Sequence, residues 1–362
     1  MKMRLLRGPG KAPALFIVLS YALLSALASA APPSSGGPVP LTVPKATCGP
    51  NDHPETALQG QVPTSLRTYV PGDPTKPGFQ GFNCNLELIG QSKGDGANWQ
   101  TTEFRNGNAR VCGYHGTAFS TVNRTHIGVP VIDITNPSAP TPTGYLTSIS
   151  MQDPWESLKV NERRQLLAAD NGHNGGGGPE IDIYDVSTDC TAPQLLATIP
   201  VGTGTDGGAV ASVIGHEGSW APDGLTYYGG DIRQKQYYAV DTTDPTKPKL
   251  ITAWKPNVTA VTTVHGLSIS DDGNRGYFVS LLGAGPVTPD KAANGLLIYD
   301  TSQIQARVPN PQVPLVGKLF FNDGGGAQHT INVKIGGKPY IIFVDETGPG
   351  GFGLRDWISL KS

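Results

Sequence analysis

Charge, methionine and cysteine are all scarce in this chain of 362 residues, with 15% charged side chains, three Met and four Cys. Basic residues are not in excess, at 27 against 29 acidic ones, so no face is available for phosphate backbones and nucleic-acid partners are excluded on charge. No CxxC pair occurs, which removes a zinc-ribbon or redox reading of the cysteines. No glycine-rich loop ends in GK[ST] and no GxSxG occurs, so neither a phosphate cradle nor a nucleophile elbow is written here. Long Leu/Ala/Glu/Lys stretches are few, and no second long apolar run follows the first thirty residues. That excludes a helical fold and a membrane span in the mature chain.

What is abundant is turn chemistry, with 47 Gly and 32 Pro, the composition of many short strands. Residues 1–30 stand apart. Lys2, Arg4, Arg7 and Lys11 precede the apolar run APALFIVLSYALLSALASA, which closes on Ala28-Ser29-Ala30. This is the pattern of a secretory signal peptide. Its removal takes four basic groups and leaves a mildly acidic mature chain, 23 against 29, expected to be secreted, periplasmic or at the cell surface. In that oxidising setting Cys48, Cys84, Cys112 and Cys190 suggest up to two disulfides, with three pairings open. Residues 31–83 lack sustained periodicity and read as an irregular N-terminal extension.

From residue 84 to 362 one grammar recurs. Candidate innermost strands begin at Trp99, Trp155, His216, His265 and His329, at intervals of 49 to 64 residues. Each meets a turn and is followed by a β-branched or aromatic second strand: RVCGYHG, RQLLAADNG, LTYYGGD, RGYFVSLLG and KPYIIFVDE. Third strands end on aspartate in VPVIDIT, EIDIYDVS, QYYAVDTT and GLLIYDTS, with a weaker LRDWISL, and a proline turn leads to TPTGYL, PQLLATI, PKLITAW and VPLVGKL. The last unit lacks a fourth strand, and Cys84–Gly90 (CNLELIG) is an unclaimed strand-like segment. The expected fold is an all-β propeller of about five four-stranded blades, with that N-terminal strand closing the last one.

The third and fourth strands, in VIDITNPSAP from Val131, IYDVS from Ile183 and VDTTDPTKPKLI from Val240, resemble the LVIVD-repeat family of bacterial surface propellers. The resemblance implies export and a propeller, and little chemistry.

Aligning the repeats brings His216, His265 and His329 to one position, with Trp99 and Trp155 completing the ring. Innermost strands line a propeller axis, so the three imidazoles could converge on one divalent transition metal, copper, iron or zinc, and leave positions open for substrate. Fifteen or sixteen residues further on lie His115, Asp170, Asp231, Ser280 and Asp345. Asp231 beside His216, Asp345 beside His329, and Asp170 are the carboxylates expected to orient the imidazoles. The competing expectation is structural, because strand-end aspartates commonly cap turns and histidines bond loop carbonyls.

Glycine-rich loops at 170–180, 281–295 and 345–353 would rim one face. Calcium on Asp170, Asn171, Asn174 and Glu180 departs from the DxDxDG pattern, and Asp271-Asp272 reads as turn chemistry. Two functions are therefore carried forward. One is an exported binding module that meets a protein or small ligand through its loop-rich face. The other is a metal-dependent enzyme, such as an oxidoreductase, with an axial three-histidine site.

Overall fold

The structure, a computed structural model, describes residues 47–52, 83–92, 100–107, 110–116, 125–171, 180–200, 215–231, 235–258, 263–281, 294–321, 326–347 and 357–361. The chain divides into two units, Met1–Asn51 and Asp52–Ser362. In the first, the described residues end in a turn at Pro50-Asn51. The signal-peptide expectation for residues 1–30 lies outside the described residues.

The second unit is a β-propeller. Its first sheet holds β1 (Thr101–Asn106), β2 (Arg110–His115), β3 (Val129–Asp133) and β4 (Thr141–Leu146). After the short helix α1 (Ile149–Gln152), the second sheet holds β5 (Lys159–Asn161), β6 (Leu166–Asp170), β7 (Glu180–Asp185) and β8 (Gln194–Pro200). The third holds β9 (Glu217–Trp220), β10 (Thr226–Asp231), β11 (Gln236–Asp241) and β12 (Lys249–Trp254). The fourth holds β13 (Thr263–Ile269), β14 (Arg275–Leu281), β15 (Gly295–Asp300) and β16 (Leu315–Phe320), with helix α2 (Ser302–Gln305) after β15. The fifth holds β17 (Gly326–Ile335), β18 (Lys338–Thr347) and β19 (Trp357–Lys361). Every sheet is antiparallel and runs in sequence order, so each is a meander built from local pairings.

The aspartate that ends the third strand has a structural job. Asp133, Asp185, Asp241 and Asp300 each accept the backbone N–H two residues on, from Thr135, Ser187, Thr243 and Ser302, at 2.8–2.9 Å. These Asx turns point the chain into the following loop. In three of the four, Asn136, Asp189 or Asp244 repeats the device with Ser138, Thr191 or Thr246. The third-to-fourth strand pairing also shifts register at one matching place in the first four sheets, between Val131/Ile132, Ile183/Tyr184, Ala239/Val240 and Ile298/Tyr299. A bulge there adds twist, and the twist lets neighbouring sheets pack face to face. Asp272 likewise accepts from Ser270 Oγ and Asn274 N, which makes it turn chemistry as expected.

The apolar core lies between sheets. Phe104, Tyr114, Val131, Leu158 and Leu167 fill the gap between the first and second. Leu166, Ile181, Trp220, Tyr227 and Tyr238 fill the next, then Tyr228, Tyr237, Leu267, Phe278 and Leu297, then Val279, Leu296, Ala327 and Phe343. Polar staples cross the same gaps. A disulfide joins Cys112 on β2 to Cys190 beyond β7, and no cysteine is free. Arg164 donates to the carbonyls of Gly224 and Thr242, and Arg307 to Thr226, Leu225 and Asp241.

The expected closing strand is corrected. Residues Cys84–Gly90 form no strand, and Leu86, Leu88 and Ile89 are 73%, 80% and 58% exposed. Asn85 sits at φ 58°, a left-handed conformation that breaks an extended run, and its N–H is tied to Asp52 Oδ2 at 2.7 Å. Gly90 abuts the Pro137 carbonyl beside the first sheet. The fifth sheet keeps three strands among the described residues.

Candidate metal centre on the propeller axis

The first strands β1, β5, β9, β13 and β17 neighbour one another in that order, and the residues at or just before their starts meet at one place. Of the expected ring, Trp99 lies outside the described residues. Trp155 packs tilted against His216, with 4.5 Å between ring centroids and 41° between planes, and the His216 ring meets that of His265 edge-on at 4.7 Å. His216 and His265 are 5% and 2% exposed.

The structure brings two of the three expected histidines together, with a carboxylate that sequence reasoning missed. His216 Nε2 lies 3.2 Å and His265 Nε2 3.3 Å from the same oxygen, Glu156 Oε2. One ligand atom from each residue falls within 4.8 Å of the others. Trp155 holds a left-handed backbone at φ 47°, strained for a bulky residue, and the next residue, Glu156, also reaches the imidazoles. Glu156 N donates to His216 O, and Glu156 bridges Glu217 in parallel.

Neighbouring groups fix the orientation of this trio. His265 Nδ1 lies 2.8 Å from the Gln328 carbonyl, which can only accept, so Nδ1 carries the proton by this hydrogen-bond assignment. In the neutral ring, Nε2 then turns its lone pair toward Glu156 Oε2. Gln328 Nε2 donates to the other carboxylate oxygen, Oε1, at 2.7 Å. Among the described residues, His216 Nδ1 is buried without a hydrogen-bond partner.

His329 is placed elsewhere. Its Nδ1 is 3.3 Å from Glu217 Oε1, and its side chain is 21% exposed against 7% and 2% for His216 and His265. It lines a polar cavity of about 540 Å³ with Gln100, Glu156, Lys159, Glu217, Gln328, Ile331 and Val344. Glu217 is buried, and Lys159 Nζ stands 3.5 Å from it. Burial raises the Glu217 carboxyl, but the Lys159 and His329 charges outweigh it and hold the group below its usual range. Gln100, its amide oriented by its partners, bridges Lys159 Nζ and the Glu156 carbonyl.

The expected orienting aspartates serve other partners. Asp170 receives the Tyr238 hydroxyl, and a Cβ on Gly215 would fall on its carboxyl, so only glycine fits beside it. Burial pushes Asp170 up to about 8, with Tyr238 and Ser157 hydrogen bonds opposing and the Glu217 and Asp231 charges reinforcing. Asp231 is buried with Gln236 Nε2 at 3.5 Å. Asp345 pairs through its backbone with Ala327 and Trp357, and its side chain lies outside the described residues. Ser280 is buried, and burial lowers His115. Most of each glycine-rich loop, including Asn174, also lies outside the described residues.

Glu156 and Glu217 carried one readable signal. Each directly follows a ring residue, in Trp155-Glu156 and His216-Glu217, where a charge inside an inner strand has no solvent to meet.

No family model and no curated protein matches this chain. Solved structures do. A Lactobacillus plantarum protein aligns at 12% identity and TM-score 0.47, over 72% of this chain and 69% of that one. The periplasmic gluconolactonase of Pseudomonas aeruginosa aligns at 13% and 0.44, over 69% and 67%. The β-propeller domain of Cps50 from Myceliophteria thermophila aligns at 12% and 0.41, over 66% and 63%.

Two imidazoles and a carboxylate on one face suit zinc in a catalytic geometry, or ferrous iron with open positions. In either case the ion could polarise an oxygen ligand or activate water in the adjoining cavity.

Proposed function

We propose that this chain is an exported, LVIVD-like β-propeller that binds one divalent transition metal through Glu156 Oε2, His216 Nε2 and His265 Nε2 and uses it on a small molecule in the axial cavity. The observation that carries this is the tautomer of His265. With its proton on Nδ1, a neutral ring would aim a lone pair at a carboxylate oxygen 3.3 Å away, which is repulsive unless a cation lies between. The spacing fits as well. Charge-assisted N–H···O bonds run about 2.7–2.9 Å. A tetrahedral site with metal–ligand bonds of about 2.0–2.1 Å has edges of about 3.3 Å, and the two edges here are 3.2 and 3.3 Å.

The disulfides and the N-terminal pattern in the sequence support export. A partner-binding face made of the glycine-rich loops has few described residues to support it, whereas the axial centre has all of its donors in place. Elemental analysis of the purified mature chain is the test. One zinc or iron per chain is expected, lost in His216→Ala and His265→Ala with the circular dichroism spectrum unchanged. A metal-free protein that takes up no ion on dialysis would leave an imidazolium–carboxylate cluster and refute the centre.

A further inference from the structure

The gap between the fourth and fifth sheets is filled less completely than the others. Among the described residues its core holds four buried side chains, Val279, Leu296, Ala327 and Phe343, against eight, eleven and thirteen in the other three gaps. Beside them lies a cavity of about 460 Å³, a volume within the range of small-molecule sites.

Strand register shows which side chains face it. The cross-strand pairs Thr330/Phe343, Asn332/Ile341 and Lys334/Pro339 of β17 and β18 alternate along one face of the fifth sheet. That face is turned to the fourth sheet, because Thr330 Oγ1 meets Ser268 Oγ and donates to the Tyr277 carbonyl, while Lys334 Nζ donates to Asp271 Oδ2 at 2.9 Å. The opposite wall is Tyr277 of β14, Leu296 of β15, Leu319 of β16 and Phe321. Phe321 and Phe343 meet edge-on across the gap at 4.8 Å between ring centroids.

One group on this apolar lining serves no structural bond. Thr330 and Lys334, on either side of Asn332 along the face, are both engaged, and the Ser270 hydroxyl donates to Asp272. Among the described residues the half-buried Asn332 amide has no hydrogen bond. An amide on an apolar sheet face is costly unless something bonds it, and asparagine is a poor strand former. The amide offers a ligand both a donor and an acceptor. Charge limits what that ligand can be. Lys334 and Asp271 stand exposed at the mouth and cancel each other, and among the described residues no other charged side chain lines the cavity. An ionic ligand would lose its hydration there without compensation.

We propose that this cavity binds an uncharged aromatic small molecule, its ring against Tyr277, Ile341 and Phe343 and one hydrogen-bonding group on the Asn332 amide. The site lies between sheets and does not depend on the axial centre.

The test titrates the mature chain with 2-naphthol, naphthalene and 2-naphthoate, followed by ligand fluorescence and equilibrium dialysis. Saturable binding of 2-naphthol is expected, about tenfold tighter than naphthalene for one added hydrogen bond, with 2-naphthoate weaker still. Asn332→Leu should remove the preference for 2-naphthol over naphthalene and leave naphthalene affinity in place. Leu319→Trp, at a position 50% exposed on the cavity wall, should block all three probes with the circular dichroism spectrum unchanged. His216→Ala should bind 2-naphthol as wild type does. No saturable 2-naphthol binding, equal binding of 2-naphthoate, or binding that survives Leu319→Trp would each overturn the proposal. Dimers of the wild-type chain that Leu319→Trp dissociates would give the cavity to a second copy and overturn it as well.

Discussion

Asp170 should make this protein lose stability as the pH rises through neutrality. The group is fully enclosed, hydrogen-bonded to Tyr238, and pushed by burial from 3.8 to about 8. Because the folded pKa lies above the unfolded one, the folded state holds the proton longer. The contribution is complete below about pH 4 and is lost as the pH climbs to about 8, with a slope approaching 1.4 kcal/mol per pH unit. Between pH 5 and 7 that is about 2–3 kcal/mol, a large part of an ordinary folding free energy. Asp170→Asn keeps an oxygen for Tyr238 and cannot ionise. Urea denaturation followed by tryptophan fluorescence, at several values between pH 4.5 and 8.5, should therefore show the variant gaining on wild type steadily as pH rises. Taking the difference cancels other titrating groups. A difference that does not change with pH would refute the account of Asp170 as a buried, protonated acid.

Two further outcomes follow from the packing. Replacing Cys112 and Cys190 with alanine frees a loop of 78 residues and should cost about 4–5 kcal/mol on the chain-entropy model, read as a lower urea midpoint. Gly229→Ala would drive a methyl into the Tyr238 ring, and a loss of about 2 kcal/mol or more is expected by the same denaturation assay.

The sheets were legible in the sequence because each is a local meander whose turns have fixed chemistry. The aspartate at the end of the third strand is the clearest case, since its Asx turn is written within two residues. The closing strand misled, because CNLELIG alternates correctly while Asn85 in the left-handed region and the tether to Asp52 break the run, and neither is written in a hydrophobic pattern. At the site, repeat alignment put His216 and His265 side by side, as their rings are in the structure, but could not see Glu156. A left-handed backbone at one tryptophan shifts a carboxylate by a single residue into the ring, and alignment by motif is blind to such a shift. The same limit put His329 with the other two imidazoles, whereas in the structure it lines the cavity with its Nδ1 3.3 Å from Glu217 Oε1. Asp170 and Asp231 stand one strand further out, where Asp170 accepts from the Tyr238 hydroxyl and Asp231 from Gln236 Nε2.

The most direct measurement is anomalous diffraction from crystals of the mature chain at the zinc and iron absorption edges. The account predicts a single peak on the axis, about 2.0–2.2 Å from Glu156 Oε2, His216 Nε2 and His265 Nε2, with His329 beyond bonding distance. Crystals soaked in zinc or ferrous salt that show no peak there, or a peak bonded to His329, would contradict it.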